Sequence, residues 1–162
     1  MKRISCFFII TFFISCNTNK QEKIAPEKDS VKVNIKTDTV NIISDTHYFW
    51  SSDWDTKKGL VMRKITPISE DSLTPSNLIH KLNIEYPEIQ LGYKKISGDT
   101  IFVAIHKSRY LTQSIGSSGA KGYLAEVTYN LTEIKNINFV DINFAEGDHA
   151  APGTFSRTDF VR

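Results

Sequence analysis

Hydrophobic and polar positions change texture twice along the chain. Ile4 to Ile14 (ISCFFIITFFI) is an apolar run with no acidic residue. Asn17 to about Asp45 is polar, rich in Lys, Asn, Asp, Glu and Thr, and has no aromatic residue. From His47 onward, short apolar segments are separated by turn signals. Tyr48-Phe49-Trp50 reads as a short aromatic strand, and Ser51 to Gly59 as a polar, Gly-ended turn. Leu60 to Ile68 reads as a second strand ending near Pro67. Thr74-Pro75 starts a helix, with Thr as N-cap and Pro at the first helical position. That helix places Leu78, Ile79 and Leu82 on one face, runs to about Asn83 and is ended by Tyr86-Pro87. Ile89 to Ser97 and Thr100 to Ile105 are strands joined by a Gly98-Asp99 hairpin signal, with Ile101, Val103 and Ile105 facing the core. Leu124, Val127, Leu131 and Ile134 recur at helical spacing, with Ala120 and Ala125 allowing close packing. Ile137 to Phe144 alternates as a last strand. The order β-β-α-β-β-α-β predicts one small α+β domain. Two helices are expected on one face of a mixed or antiparallel sheet.

Length and charge narrow the class of protein. At 162 residues the chain suits one domain, and 40% hydrophobic against 23% charged residues is the balance of a globular protein. A formal charge of +2 gives no concentrated basic face for nucleic acid. Two cysteines cannot make a disulfide scaffold or a four-cysteine zinc site.

The N-terminal run reads as an address. Lys2 and Arg3 precede an apolar stretch of signal-peptide length, too short for a spanning helix. It ends in Phe13-Ile14-Ser15-Cys16, which resembles a bacterial lipobox, with Phe13 where Leu is usual. The resemblance implies a signal peptide over 1–15, cleavage before Cys16 and acylation of Cys16, palmitate included. Residues 16–46 then form a flexible tether reaching about 30 Å by random-coil scaling, with a short strand at Val31 to Ile35 as the alternative. Cys6 would leave with the signal peptide and Cys16 would be consumed, so no thiol chemistry would remain. Loss of Lys2 and Arg3 would bring the charge to zero. Acyl chains would hold the protein stably at a membrane. Asn17 after the lipid site points to the outer membrane. The stretch NTNKQEK lacks the acidic cluster of surface-exported lipoproteins of Bacteroidetes-like bacteria, which the composition resembles. The periplasmic face is therefore expected.

Candidate chemistry lies in three places within 47–162. Gly116-Ser117-Ser118-Gly119 before a helix offers backbone N–H groups to an anion, or serves as a loop and cap. Asp148-His149, with Ser114, Ser117 or Ser118, could supply a nucleophilic constellation, but no Gly-x-Ser-x-Gly elbow is present. Adjacent side chains in extended chain also point apart, so a shaped loop is the plainer reading. Trp50, Asp53, Trp54 and Asp55 form an aromatic and acidic loop suited to a sugar or a partner surface, or simply to capping the sheet edge. Arg157 in the C-terminal tail joins the binding candidates. His47, His80, His106 and His149 have no metal-ligand spacing, and no metal or cofactor is expected. The sequon Asn130-Leu131-Thr132 falls on a predicted helix and is discounted.

Several of these segments together resemble the GerMN domain, named for sporulation and spore-germination proteins. They are Tyr48-Phe49, Gly59-Leu60-Val61, Pro67-Ile68, the Gly98-Asp99 hairpin, Leu111-Thr112-Gln113 with Gly116 to Ala120, and Val127-Thr128-Tyr129-Asn130-Leu131-Thr132-Glu133-Ile134. The resemblance spans about 47 to 147, and the chain departs from it at Glu146 to Gly153 and the tail beyond. It implies a non-catalytic module of envelope assemblies that contacts protein or cell-wall partners such as peptidoglycan. The competing expectation is an envelope glycan or peptide hydrolase using Asp148, His149 and a serine. A bare envelope spacer is the third.

Overall fold

The computed structural model of the chain describes residues 46–160. The expected signal segment, Cys16, nearly all of the tether and the stretch Val31 to Ile35 lie outside the described residues. Eight main elements follow in chain order: β1 (His47–Asp55), β2 (Gly59–Ile68), α1 (Pro75–Glu85), β3 (Leu91–Ser97), β4 (Thr100–Ile105), α2 (Gly116–Leu131), β5 (Phe139–Asn143) and β6 (Gly153–Phe155). The mixture is α+β. Helix α1 begins where its cap predicts, with the Asn77 N–H donating to Thr74 Oγ1 at 3.3 Å.

Strands β3, β4, β5 and β6 form one sheet in that spatial order. The β3–β4 and β5–β6 pairs are antiparallel, while β4 and β5 run parallel. A parallel pair needs a long crossover, and α2 lies within it. Ile101, Val103 and Ile105 of β4 and Val140 and Ile142 of β5 alternate toward one face. There they join Leu78, Ile79 and Leu82 of α1 and Ala120, Leu124, Val127 and Leu131 of α2 in one buried cluster. Both helices therefore cover the same face. Phe102 and Asp141 turn to the opposite face and are only half-buried.

The first hairpin departs from expectation. Strands β1 and β2 make a separate two-stranded sheet instead of extending the main one. Strand β1 also runs on to Asp55, through the stretch expected to be a turn, leaving only Thr56 to Lys58 as turn. Side chains of α2 and of the turn just after it supply the reason. The Asn130 amide accepts from the Trp50 N–H at 2.9 Å and donates to the Trp50 carbonyl at 2.9 Å. Glu126 Oε1 accepts from the Ser52 N–H at 2.8 Å, and Glu133 Oε2 from the Tyr48 N–H at 3.4 Å. These side chains thus stand where a neighbouring strand would stand, and they satisfy the outer edge of β1. Gly122 sets the approach, because a Cβ there would lie 2.8 Å from Ser52 Oγ.

Helix α2 is consequently enclosed by the sheet on one side and the hairpin on the other. Every residue from Gly122 to Leu131 is buried, including Glu126 and Asn130. Glu126 Oε1 also accepts from Ser52 Oγ at 2.6 Å and from the Tyr86 hydroxyl at 2.9 Å. Burial first, and then the Glu126 carboxyl, raise the Tyr86 phenol above its ordinary value of 10. The Tyr123 ring meets Tyr86 edge-on at 4.9 Å. Its hydroxyl is buried with no hydrogen-bond partner among the described residues. An unpaired buried hydroxyl costs about 1–3 kcal/mol, so Tyr123→Phe should leave stability unchanged or raise it by about 1 kcal/mol. Urea midpoints at equal m-value measure this. A loss above about 1 kcal/mol would mean that the hydroxyl has an acceptor.

Candidate functional site

The nine candidate binding residues separate along α2. Its sixteen residues put its two ends about 24 Å apart at 1.5 Å per residue.

At the C-terminal end, Trp50 and Arg157 meet around Glu133. The Trp50 indole N–H donates to Glu133 Oε1 at 2.8 Å, and Arg157 Nη2 donates to the same oxygen at 2.6 Å. His47 Nδ1 lies 3.1 Å from Glu133 Oε2. Arg157 opens the 3-10 turn Arg157–Phe160 that follows β6. Its guanidinium further donates to Thr132 Oγ1 at 2.7 Å and to the Tyr129 carbonyl at 2.9 Å. It also sits 5.4 Å from the Trp50 ring centre and 5.0 Å from that of Tyr129, close enough for cation–π attraction. Burial opposes the Glu133 charge. The hydrogen bonds from Trp50, Arg157 and His47 and the Arg157 charge outweigh it and hold the carboxyl below its ordinary 4.5. Lys64 Nζ lies over the Tyr48 ring at 4.5 Å and the Trp50 ring at 5.5 Å. The result is an indole and a guanidinium fixed in place beside a cleft of about 420 Å³ bordered by His47, Tyr48, Lys64 and Thr132.

The loop expected to carry Trp50, Asp53, Trp54 and Asp55 is strand instead, and all four lie on β1. Trp54 is 46% exposed and stands near Gly59, Lys121 and Phe160. Asp53 pairs with Arg63 across the hairpin at 2.7 Å, and Asp55 Oδ1 accepts the Lys57 and Lys58 N–H groups to close the turn.

The N-terminal end of α2 gathers the other candidates. Gly116, Ser117, Ser118 and Gly119 are not a loop ahead of the helix. They are its first turn, and a π-helical turn (Tyr110–Ser114) runs almost directly into it. Gly116 takes φ +76°, which is why glycine stands at this junction. Ser117 Oγ lies 3.1 Å from His149 Nδ1, and the His149 N–H donates to the Thr112 carbonyl at 3.0 Å. Asp148 is exposed and, among the described residues, makes no side-chain hydrogen bond. A catalytic triad needs an acid on the second imidazole nitrogen, and Asp148 does not orient His149. The contacts present fasten the 146–150 loop to α2.

His80 and His106 are exposed, the latter 3.4 Å from Lys94 Nζ. Among the described residues no three His, Cys, Asp or Glu side chains converge on a point.

Sequence reasoning missed Glu126 and Glu133 as organising residues and took Asn130 as a sequon and as part of the GerMN-like segment Val127 to Ile134. The i, i+4 spacing of Glu126 and Asn130 on one face of α2, with Glu133 in the turn just after it, was the available signal. Comparison of the chain with protein-family models, with curated proteins and with solved structures gives no match.

Proposed function

We propose that the chain is a lipid-anchored protein of the bacterial outer membrane whose GerMN-like domain is a non-catalytic binding module on the periplasmic face. The fixed Trp50–Arg157 pair beside an open cleft carries this reading. Aromatic and guanidinium groups held without rotamer freedom are what binding surfaces use as anchors. The partner is an envelope protein or cell-wall material such as peptidoglycan. Acylation at Cys16 supplies the membrane attachment. A second reading, an envelope hydrolase, rests on the Ser117–His149 contact, beside which no acid orients His149 among the described residues.

Two measurements in cells test the proposal. Labelled palmitate should enter the wild-type chain and not Cys16→Ala; labelling of both, or of neither, would sink the anchor. A photo-crosslinking residue at Lys64, exposed and outside the core, should give a discrete envelope adduct. The same group at Ser117 should give none. Adducts from Ser117 alone would favour the hydrolase reading, and adducts from neither position would remove the module reading.

A further inference from the structure

Trp50 borders a second, more apolar groove, and its chemistry narrows the partner. We infer that this groove holds an extended acidic peptide segment of a partner protein, anchored by one bulky apolar side chain. The inference rests on the binding-module reading and specifies its ligand.

Leu60 and Met62 of β2, Tyr129 of α2 and Phe160 of the final turn line a groove of about 540 Å³. That volume falls in the range of pre-formed ligand sites, about 300–1,000 Å³, and accommodates a large side chain with its adjoining backbone. Lys57 and Lys58 stand at one end, and Lys64 lies beyond Met62 at the other. Among the described residues none of the three pairs with a carboxylate. The acids nearby are committed elsewhere: Glu133 to Arg157 and His47, Asp53 to Arg63, and Asp55 to the turn backbone. The groove is therefore apolar at its centre and, among the described residues, flanked at both ends by lysines that have no ion-pair partner.

Complementarity calls for the reverse, an apolar anchor flanked by Asp or Glu. Lys58 to Lys64 spans roughly 20 Å of strand at 3.3 Å per residue, the length of about six extended residues. The backbone supports the same geometry. Among the described residues β2 pairs with β1 alone, and its other edge offers backbone groups to a peptide strand. A glycan fits less well, because Leu60, Met62 and Phe160 offer nothing to sugar hydroxyls. An anionic bilayer fits less well too, because a flat headgroup layer does not enter a groove lined by Leu60, Met62 and Phe160.

The test uses the full chain in nanodiscs of zwitterionic lipid and a display library of random twelve-residue peptides. Selected sequences should carry Asp or Glu on both sides of Leu, Phe, Trp or Tyr. A synthetic peptide of the selected sequence should shift tryptophan emission saturably, since the chain's two tryptophans both stand at this face. Lys57→Glu with Lys58→Glu should weaken binding about tenfold or more while the fold persists, because among the described residues these two are hydrogen-bonded through their backbone and not their side chains. Lys57→Arg with Lys58→Arg should retain binding. No enrichment, enrichment without acids, or indifference to the charge reversal would overturn the inference, as would preference for anionic vesicles over every peptide. A Lys64 crosslink in cells that survives such a failure would leave the binding-module reading standing and remove only its acidic peptide.

Discussion

Glu126→Ala should destabilise the fold by about 3–5 kcal/mol, because a single buried oxygen serves four donors. Glu126 Oε1 accepts from the Ser52 backbone, the Ser52 hydroxyl and the Tyr86 hydroxyl, at 2.8, 2.6 and 2.9 Å, and more weakly from the Ser51 hydroxyl at 3.5 Å. Truncation removes all four bonds together. It deprives the Ser52 N–H and the Tyr86 hydroxyl of their carboxylate acceptor, and each bond lost at this half-buried seam costs about 1–3 kcal/mol. The substitution also releases the hairpin from α2. Glu126→Gln keeps a carbonyl at the same place and should cost about 1–2 kcal/mol. Urea titration separates the two, with a lower midpoint for Ala than for Gln and little change in m-value. Equal losses for Ala and Gln would mean that side-chain volume, and not the acceptor, carries the effect.

Glu133→Ala is the second substitution with a large expected effect, about 2–3 kcal/mol, and it acts on the site as well as on stability. The Trp50 indole, the Arg157 guanidinium and His47 all use this carboxylate. Without it Arg157 remains over two rings with its charge unpaired, and Trp50 is free to rotate. Binding at the cleft should fall with the loss of order even though Glu133 itself is only slightly exposed. The carboxyl also gives the fold an acid limit. Its native pKa lies below the ordinary 4.5, so the unfolded chain takes up its proton first as the pH drops. Its stabilisation is full above about pH 5 and is lost as the pH falls through the native value. Glu133→Gln should flatten that part of the stability–pH curve. An unchanged acid slope would assign the sensitivity to other carboxylates.

How far the sequence carried this fold depends on whether each signal was local. The Thr74-Pro75 cap, the Gly98-Asp99 hairpin with φ +60° at Gly98, and the alternation of Ile101, Val103 and Ile105 are written within a few neighbouring residues. All three appear where expected. Ser51 and Ser52 resemble turn residues because their strand conformation is secured from Glu126, more than seventy positions away. Strand β6 is three residues long and has no pattern of its own. Glu126 and Asn130 read as the wet face of an amphipathic helix, since nothing local reports that a hairpin covers that face. Trp50 and Arg157 both stand out in the sequence, but Glu133, which joins them, stands out only as part of a family-like segment. The Ser117–His149 contact was legible as a possibility, and the position of Asp148 was not.

The match between α2 and β1 is one of stride. Along α2, Glu126 to Asn130 advances about 6 Å at 1.5 Å per residue. Along the strand, Ser52 to Trp50 advances about 7 Å at 3.3 Å per residue. The two keep step over this window, and Glu133 follows from the turn just past the helix end. The contacts at Ser52 and Trp50 are 2.8 and 2.9 Å, while the one at Tyr48 has stretched to 3.4 Å. At the other end of the window the next helix position is Gly122, which has no side chain to offer, and β1 becomes exposed from Asp53. The stretch in step thus sets how much of the β1 backbone the helix can hold. Beyond it Trp54 stands near Lys121 of α2, but among the described residues no α2 side chain hydrogen-bonds the β1 backbone there.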